Sequence, residues 1–290
     1  MVCQLCPRRC GADRSVVRGA CGAGAVVRIA RVGLHAWEEP CLSYGKGSGT
    51  VFFSGCPLGC VFCQNHAISF EGQGRDVRDE ELDGVFLSVR DMGAVNLNLV
   101  SPTPYVPAIA ASLRRVKDKL GIPVVYNTGG YERPETLRAL EGLVDIYLPD
   151  MKYASNAAAA RYSGAPDYPQ AARAAIREMF RQVGYPRFDE DGHMTGGVLV
   201  RHLVLPSNSR DSMRVLDILS QDYDPSRLYV SLMRQYFPCH RAHEFPEIDR
   251  RLTTLEYERV TRYALSLGIV HGFIQERDAA TEDYVPPFDY

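Results

Sequence analysis

Three cysteines within eight residues, Cys56, Cys60 and Cys63, constrain this chain more than any other feature. Residues 50–53 (Thr-Val-Phe-Phe) are β-branched or aromatic, which predicts a strand that leads directly into the cysteine loop. Soft thiolates grouped this closely select zinc, copper(I) or an iron–sulfur cluster. A cubane cluster takes one cysteine for each iron, so three thiolates leave one iron open to another ligand. The alternative is a zinc site whose fourth ligand is His66 or a distant cysteine.

A second cysteine cluster lies at the start of the chain, at Cys3, Cys6, Cys10 and Cys21. Glycines follow Cys10 and Cys21 and let backbone amides turn toward sulfur, as tight thiolate sites require. Four thiolates complete a tetrahedral site, and so short a segment has too little apolar surface to become ordered without a metal. We expect structural zinc or a second iron–sulfur centre, since both accept four sulfurs. The alternative is that some of the four are small buried residues.

Composition and charge are those of an ordinary globular protein: 46% of the 290 residues are hydrophobic and 23% are charged. A net charge of −2 gives no electrostatic case for binding nucleic acid or an anionic membrane. No run approaches the ~18 apolar residues of a membrane span, and the N-terminus lacks the hydrophobic region of a signal peptide. We therefore expect a cytoplasmic protein. Thiols stay reduced there, so the nine cysteines indicate metal ligands rather than disulfides.

Two further cysteines, Cys41 and Cys239, are isolated in the sequence. We expect each to be a buried thiol, the state in which free cysteine is most often found. Because Cys239 precedes His240, the alternative is that its thiol faces the reactive cavity.

Strand and helix patterns alternate along most of the chain, after a first strand or hairpin arm in residues 25–35. This alternation predicts a parallel sheet with helices outside it, either curled into a partial or full barrel or open. We expect a cysteine-rich segment in residues 1–45 and the β/α unit in residues 46–290. The predicted strands are residues 50–53, 94–100, 123–127, 144–148, 197–204, 228–232 and 270–274. The predicted helices are residues 79–92, 105–120, 134–143, 154–162, 168–184, 211–220 and 253–267.

Polar side chains follow the predicted strands where each strand ends. In a parallel barrel the carboxyl ends of the strands form one face, and the active site is built there. Since the cysteine loop also follows a strand, we expect these groups to converge on it. They are Ser101 and Thr103, Asn127, Asp150 and Lys152, Arg201, residues 234–236 and residues 275–277.

The spacing Cys56-x3-Cys60-x2-Cys63, with Phe62 before the last cysteine, resembles the signature of the radical S-adenosylmethionine (SAM) superfamily. The resemblance implies that SAM chelates the open iron through its amino and carboxylate groups. An electron from the reduced [4Fe-4S] cluster would then cleave SAM to methionine and a 5′-deoxyadenosyl radical, which abstracts a hydrogen atom. It also implies a parallel β/α barrel, partial or full, and a reductant of the flavodoxin or ferredoxin type.

The same resemblance implies how the strand ends would hold SAM. In that superfamily the loop after the second barrel strand carries Gly-Gly-Glu or a relative, which binds the SAM amino group. This chain departs from the pattern with Ser101-Pro102-Thr103, so hydroxyl and carbonyl oxygens are the acceptors there. Asn127 would contact the SAM carboxylate or ribose.

The resemblance also implies SAM contacts from three residues at strand ends and from Phe62 in the cysteine loop. The pair Asp150 and Lys152 resembles the strand-four motif of activating enzymes within the superfamily. Phe62, or its backbone, would meet the adenine. Arg201 would pair with the SAM carboxylate through its fork of donors.

Sequence blocks along nearly the whole chain resemble the radical SAM proteins named as pyruvate formate-lyase activating enzymes. This implies that the chain makes a glycyl radical on a partner protein. One alternative is radical modification of a small molecule or a peptide, and another is a non-catalytic metal-binding scaffold. Besides the N-terminal Cys-x2-Cys-Pro-Arg, the blocks are residues 47–56, 126–131 (Tyr-Asn-Thr-Gly-Gly-Tyr), 145–153 (Asp-Ile-Tyr-Leu-Pro-Asp-Met-Lys-Tyr), 200–206 and 231–236.

Overall fold

A computed structural model describes residues 2–274, along which strands and helices alternate as predicted. The strands are β1 (Val27–His35), β2 (Ser48–Phe53), β3 (Arg75–Val77), β4 (Leu97–Val100), β5 (Val124–Thr128), β6 (Ile146–Pro149), β7 (Arg187–Phe188), β8 (Met194–Leu203), β9 (Tyr229–Met233) and β10 (His271–Ile274). The helices are α1 (His66–Ser69), α2 (Asp79–Asp91), α3 (Val106–Leu120), α4 (Pro134–Leu137), α5 (Asn156–Ser163), α6 (Tyr168–Val183), α7 (Ser209–Asp222) and α8 (Thr254–Ser266).

One sheet organises the fold, in the order β10-β9-β8-β6-β5-β4-β2-β1-β3. The strands from β2 to β10 on this path are parallel, whereas β1 pairs antiparallel with both β2 and β3. Both faces of the parallel strands are covered, so β4, β5 and β6 are buried at every residue, as parallel sheets require.

The sheet curls around a central cavity. Phe52 on β2 and Met233 on β9 line the same cavity, although four strands separate β2 from β9 in the sheet. In a flat sheet the two strands would lie about 24 Å apart, since neighbouring strands are spaced by about 4.8 Å. Within residues 2–274 the strand order does not close on itself. The expected α/β barrel is therefore confirmed in its partial form.

The helices pack on the outside of the sheet through one apolar face each. In α3 the buried residues Val106, Ile109, Leu113 and Val116 recur every three or four positions, which is the helical period. Gly121 then ends the helix in the left-handed conformation, with φ at +64°. Full burial of a side chain such as Leu113 contributes about 1.5–3 kcal/mol.

Short elements are where the structure departs from the sequence prediction. The helix predicted over residues 134–143 is the four-residue α4, followed by a 3₁₀ turn at Arg138–Leu140. The strand predicted from residue 197 begins earlier, because Met194 pairs with Phe188 in a short antiparallel hairpin. Elements as short as α1, β3 and β7 have too few residues to show a hydrophobic period.

The N-terminal segment before β1 is held by hydrogen bonds rather than by regular structure. The backbone N–H of Cys3 donates to Ala12 O (2.9 Å), and that of Gly11 donates back to Cys3 O (3.0 Å). The Arg8 side chain then fastens the segment to the barrel by donating to Pro57 O (2.8 Å) and Gly164 O (2.6 Å). The cysteine-rich segment thus lies against the loop that follows β2.

None of the helices within residues 2–274 combines the length and the apolar character needed to cross a membrane.

Candidate active site

The loop after β2 carries Cys56, Cys60 and Cys63 and is fixed by backbone hydrogen bonds. Gly59 N–H donates to Ser163 O (2.9 Å) and Val61 N–H donates to Tyr162 O (2.8 Å), so the end of α5 supports the loop. Cys60 is buried, and Cys56 and Cys63 are partly buried.

Each of these sulfurs has hydrogen-bonding neighbours. The backbone amides of Leu58 and Asn65 hydrogen-bond to the sulfurs of Cys56 and Cys63. Ser163 Oγ lies 3.0 Å from the Cys60 sulfur, and Ser69 Oγ lies 3.7 Å from the Cys63 sulfur. Such outer partners orient thiolate ligands and tune the metal that they bind.

Burial raises the pKa of the Cys63 thiol to about 12, and it also raises the pKa values of Cys56 and Cys60. The three thiols would therefore stay protonated unless a metal displaced the protons. In the structure at least two of these three sulfurs lie more than 4.8 Å apart. A single zinc ion holds any two sulfurs within about 4.6 Å, because its bonds to sulfur are about 2.3 Å long. The donor set therefore fits a cluster of several irons better than one zinc ion.

A cavity of about 220 Å³ joins the cysteine loop to the strand ends. Cys60, Phe62 and Cys63 line one side of it. The structure brings five of the predicted strand-end residues to the same cavity. These are Asn127, Asp150, Lys152, Arg201 and Gln235.

Arg201 is the centre of a buried polar network in this cavity. It donates from Nε to Asp150 Oδ1 (2.9 Å) and from Nη2 to Asn127 Oδ1 (2.6 Å). Lys152 Nζ donates to the other Asp150 oxygen (2.5 Å), and Glu38 Oε2 lies 3.7 Å from Arg201 Nη1. Burial alone would raise the pKa of Asp150, but the charges of Arg201 and Lys152 hold it below its usual value. Asp150 is therefore ionised at neutral pH.

Ser101 and Thr103 are not brought to the cavity. The Thr103 hydroxyl instead donates to Glu132 Oε1 (2.5 Å), which also accepts from the Thr128 hydroxyl (2.6 Å). Ser101 takes a left-handed backbone with φ at +56°, and its N–H donates to Asn127 O (2.9 Å). The turn after β4 thus holds the buried Glu132 in place rather than facing the cysteines.

Sequence reasoning missed the loop between β1 and β2. Trp37 and Glu38 from this loop line the first cavity. With Glu39, they also line an adjoining cavity of about 400 Å³, which shares Arg201 and Gln235 with the first. Burial raises the pKa values of both Glu38 and Glu39. Two adjacent acids beside a tryptophan were the available signal, but acidic side chains are seldom buried, so the sequence did not place them inside the sheet.

The segment after β9 covers the Phe62 side of the cysteine loop. The Tyr236 ring packs edge-on against Phe62 at 5.8 Å, and its hydroxyl donates to Ile248 O (2.6 Å). Cys239 Sγ lies 3.4 Å from Phe62 O, so this thiol faces the loop rather than a remote core. Cys41 is buried in a separate apolar cluster, as predicted. Residues 275–277 lie outside the described part of the chain.

The four N-terminal cysteines lie close together, beside the active-site loop. A hydrogen bond links Cys10 to Cys3, and the charges of Cys21 and Cys3 both act on Cys6. The one group of three ligand atoms within 4.8 Å that residues 2–274 contain lies elsewhere, in the exposed turn after β7. It consists of Asp189, Asp191 and His193.

Several known proteins are similar to this chain in sequence or in fold. The sequence profile of the Radical SAM superfamily matches residues 50–216. An uncharacterized protein of Methanocaldococcus jannaschii is 32% identical over 273 residues, which cover 90% of this chain and 74% of that protein. Crystal structures of Streptococcus suis SuiB, bound to precursor peptide SuiA or to SAM, superpose with a TM-score of 0.48 at 13% and 12% identity. The superposition covers 73% of this chain and less than half of SuiB. The chain belongs to the radical SAM superfamily, whose members are enzymes that use SAM and a [4Fe-4S] cluster.

Proposed function

We propose that this chain cleaves SAM reductively at a [4Fe-4S] cluster held by Cys56, Cys60 and Cys63, and that the radical produced abstracts a hydrogen atom from a substrate. The observation that carries this proposal is that one cavity joins the cysteine loop to the charged strand ends. The bound cluster and SAM would supply the one-electron chemistry that gives methionine and a 5′-deoxyadenosyl radical. The protein's part is to bind, orient and shield the reacting groups.

Three charged side chains and one amide have the chemistry needed to hold the methionine part of SAM. Lys152 and Arg201 present positive charge to the cavity and suit a carboxylate, which Arg can bind with two parallel donors. Asp150 and the Asn127 oxygen suit an amino group, and both already accept from Arg201. The charge of Lys152 also acts on Cys60, and so favours the thiolate that a cluster needs.

Apolar side chains would keep water from the reacting groups. Phe52, Val100, Leu203 and Met233 line the cavity from four different strands or strand ends. Phe62 offers a ring face beside the cysteines for the adenine. A closed apolar surround strengthens the electrostatic contacts inside it and limits quenching of a reactive intermediate.

For the substrate, our first proposal is a glycine of a partner protein, on which the enzyme would form a glycyl radical. The support is the resemblance of five sequence blocks and the N-terminal motif to activating enzymes. A second candidate, a small molecule or a peptide, is favoured by the adjoining cavity of about 400 Å³. That volume is within the usual range for ligand sites, about 300–1,000 Å³.

Two further parts of the proposal concern electrons and the N-terminal segment. We propose that a reductant of the flavodoxin or ferredoxin type supplies the electron. We also propose that residues 1–45 are a metal-binding module on the barrel of residues 46–290, with a second metal centre at Cys3, Cys6, Cys10 and Cys21. The support is the contact among these cysteines.

The test is anaerobic reconstitution with iron and sulfide, followed by dithionite and SAM, with 5′-deoxyadenosine as the readout. The parent protein should form it, and the triple variant Cys56→Ala, Cys60→Ala, Cys63→Ala should not. Cys41→Ala is the matched control, because it removes a buried thiol from a separate apolar cluster. A fully clustered parent that neither forms 5′-deoxyadenosine nor binds SAM would refute the proposal.

A further inference from the structure

Three of the four N-terminal cysteines share a backbone hydrogen-bond pattern with two of the three cysteines in the active-site loop. In both places a sulfur accepts a hydrogen bond from the backbone amide two residues later. Gly11 and Gly22, with φ at +66° and +78°, allow the chain to turn directly after two of these cysteines. The pairs of sulfur and amide are Cys6 with Arg8, Cys10 with Ala12, Cys21 with Ala23, Cys56 with Leu58, and Cys63 with Asn65.

Like the three sulfurs of the active-site loop, the N-terminal sulfurs are not all within 4.8 Å of one another. In any three of Cys3, Cys6, Cys10 and Cys21, at least one pair of sulfurs is more than 4.8 Å apart. One zinc ion would hold every pair within about 4.6 Å, given zinc–sulfur bonds of about 2.3 Å. A cluster of several irons separates its cysteines more widely, because each cysteine binds a different iron.

The two cysteine sets are joined by a direct backbone contact. The N–H of Cys56 donates to the carbonyl oxygen of Cys21 (3.1 Å). The route from one sulfur to the other therefore consists of covalent bonds and a single hydrogen bond. Gly55 is required here, since a Cβ at this position would lie 2.8 Å from the same carbonyl oxygen at a φ of +91°. The contact fixes the distance between the two sites.

The four N-terminal cysteines also lead from the surface toward the active site. Cys10 is exposed, Cys21 is partly buried, and Cys56 beyond it lines the cluster loop. An electron arriving at the surface near Cys10 would thus pass to the active-site loop through the contact between Cys21 and Cys56.

We propose that Cys3, Cys6, Cys10 and Cys21 bind a second iron–sulfur cluster of the [4Fe-4S] type rather than zinc, and that this cluster relays electrons to the active site. One electron leaves a low-potential donor of ferredoxin or flavodoxin type and enters at the exposed Cys10 side. The same electron then leaves across the contact between Cys21 and Cys56, so that the relay returns to its oxidised state. The relay role rests on the proposed function, whereas the identity of the metal does not.

The metal content of the purified and reconstituted protein tests whether the N-terminal cysteines bind a [4Fe-4S] cluster. We expect about eight irons and about eight sulfides per chain, since each [4Fe-4S] cluster carries four of both. The double variant Cys10→Ser, Cys21→Ser should retain about four of each, as should the Cys56, Cys60, Cys63 triple variant. Cys41→Ala should keep the parent content. One zinc per chain, lost in the double variant, would overturn the cluster assignment.

The electron relay is tested by reduction kinetics and electron paramagnetic resonance. SAM should change the spectrum of only one of two reduced clusters, and the double variant should keep that SAM-sensitive signal. Reduction of the remaining cluster by reduced flavodoxin should lose its fast phase in the double variant and in the milder Cys10→Ser. An unchanged rate with the N-terminal cluster absent would overturn the relay. A parent that holds two clusters but never cleaves SAM would refute the proposed function and leave the cluster assignment intact.

Discussion

Arg201 on β8 donates from Nε to Oδ1 of Asp150, which directly follows β6, across 2.9 Å. The same guanidinium donates to Asn127 on β5, so one side chain joins the ends of three neighbouring strands. Its own pKa is raised, since the nearby carboxylates outweigh the effect of burial. The cavity thus has a fixed positive charge whose position depends on the register of the sheet.

We predict that Arg201→Lys weakens SAM binding by about tenfold, because a lysine cannot make both contacts and a hydrogen bond to a charged group contributes about 1.5–3 kcal/mol. The measurement is the SAM dissociation constant of the reconstituted protein, determined anaerobically by calorimetry. Arg210→Lys, on the exposed surface of α7, is the matched control and should bind as the parent does. Equal affinity in Arg201→Lys and the parent would show that Arg201 does not hold SAM.

We predict that Gly130→Ala displaces Asp150 and destabilises the protein by several kcal/mol. A Cβ at this position would lie 2.1 Å from Asp150 O, and the backbone φ of +79° is itself unfavourable for alanine. Thermal unfolding and SAM affinity should both decline. Gly142→Ala separates the two causes, since its φ is +76° but nothing lies within 4 Å of the added Cβ. If both variants lost the same stability, the contact with Asp150 would not matter.

We predict that Glu132 makes the stability of the fold depend on pH. Burial raises the pKa of this carboxyl to about 7 from an ordinary 4.5, and Oε2 has no hydrogen-bond partner among the described residues. The folded state therefore keeps a proton that the unfolded state releases. As pH rises from 4.5 through 7, the parent should lose stability relative to Glu132→Gln, by on the order of 3 kcal/mol.

Urea unfolding of both proteins between pH 5 and pH 8 measures this difference. Glu80→Gln, at an exposed position in the first turn of α2, is the control and should follow the parent at every pH. A constant difference between the parent and Glu132→Gln across this range would mean that Glu132 is ionised throughout.

The strand-end residues could be predicted because the parallel sheet brings consecutive strand ends together. Asn127, Asp150, Lys152 and Arg201 needed only the strand pattern to be placed at one face. That Thr103 does not line the cavity could not be predicted, since its hydroxyl hydrogen-bonds to Glu132, 29 residues away. A polar residue in a turn can either line the cavity or hydrogen-bond to a buried side chain, and its local sequence is the same in both cases.

Glu38 and Glu39 were missed for a related reason. They lie before β2, and the pattern around them indicates only a strand arm. The pairing of β1 with β2 places this loop at the amino ends of the parallel strands, and Glu38 reaches the cavity through contacts with Asn127 (3.3 Å) and Arg201 (3.7 Å), both distant in sequence. Pairing between distant segments is not visible in local hydrophobic periodicity.

We predict that Arg8→Lys makes the active-site cluster more labile. Arg8 donates from Nε to Pro57 O (2.8 Å) and from Nη1 to Gly164 O (2.6 Å), so it holds the cysteine loop against the end of α5. A lysine has no planar fork to span both carbonyls, and each lost hydrogen bond costs about 1–3 kcal/mol. Iron release from the SAM-sensitive cluster, followed by its paramagnetic resonance signal in the presence of a chelator after anaerobic reconstitution, should be several-fold faster than in the parent. Arg9→Lys, at the exposed neighbouring position, controls for charge and should release iron at the parent rate. Equal release from Arg8→Lys and the parent would mean that the N-terminal segment does not stabilise the cluster loop.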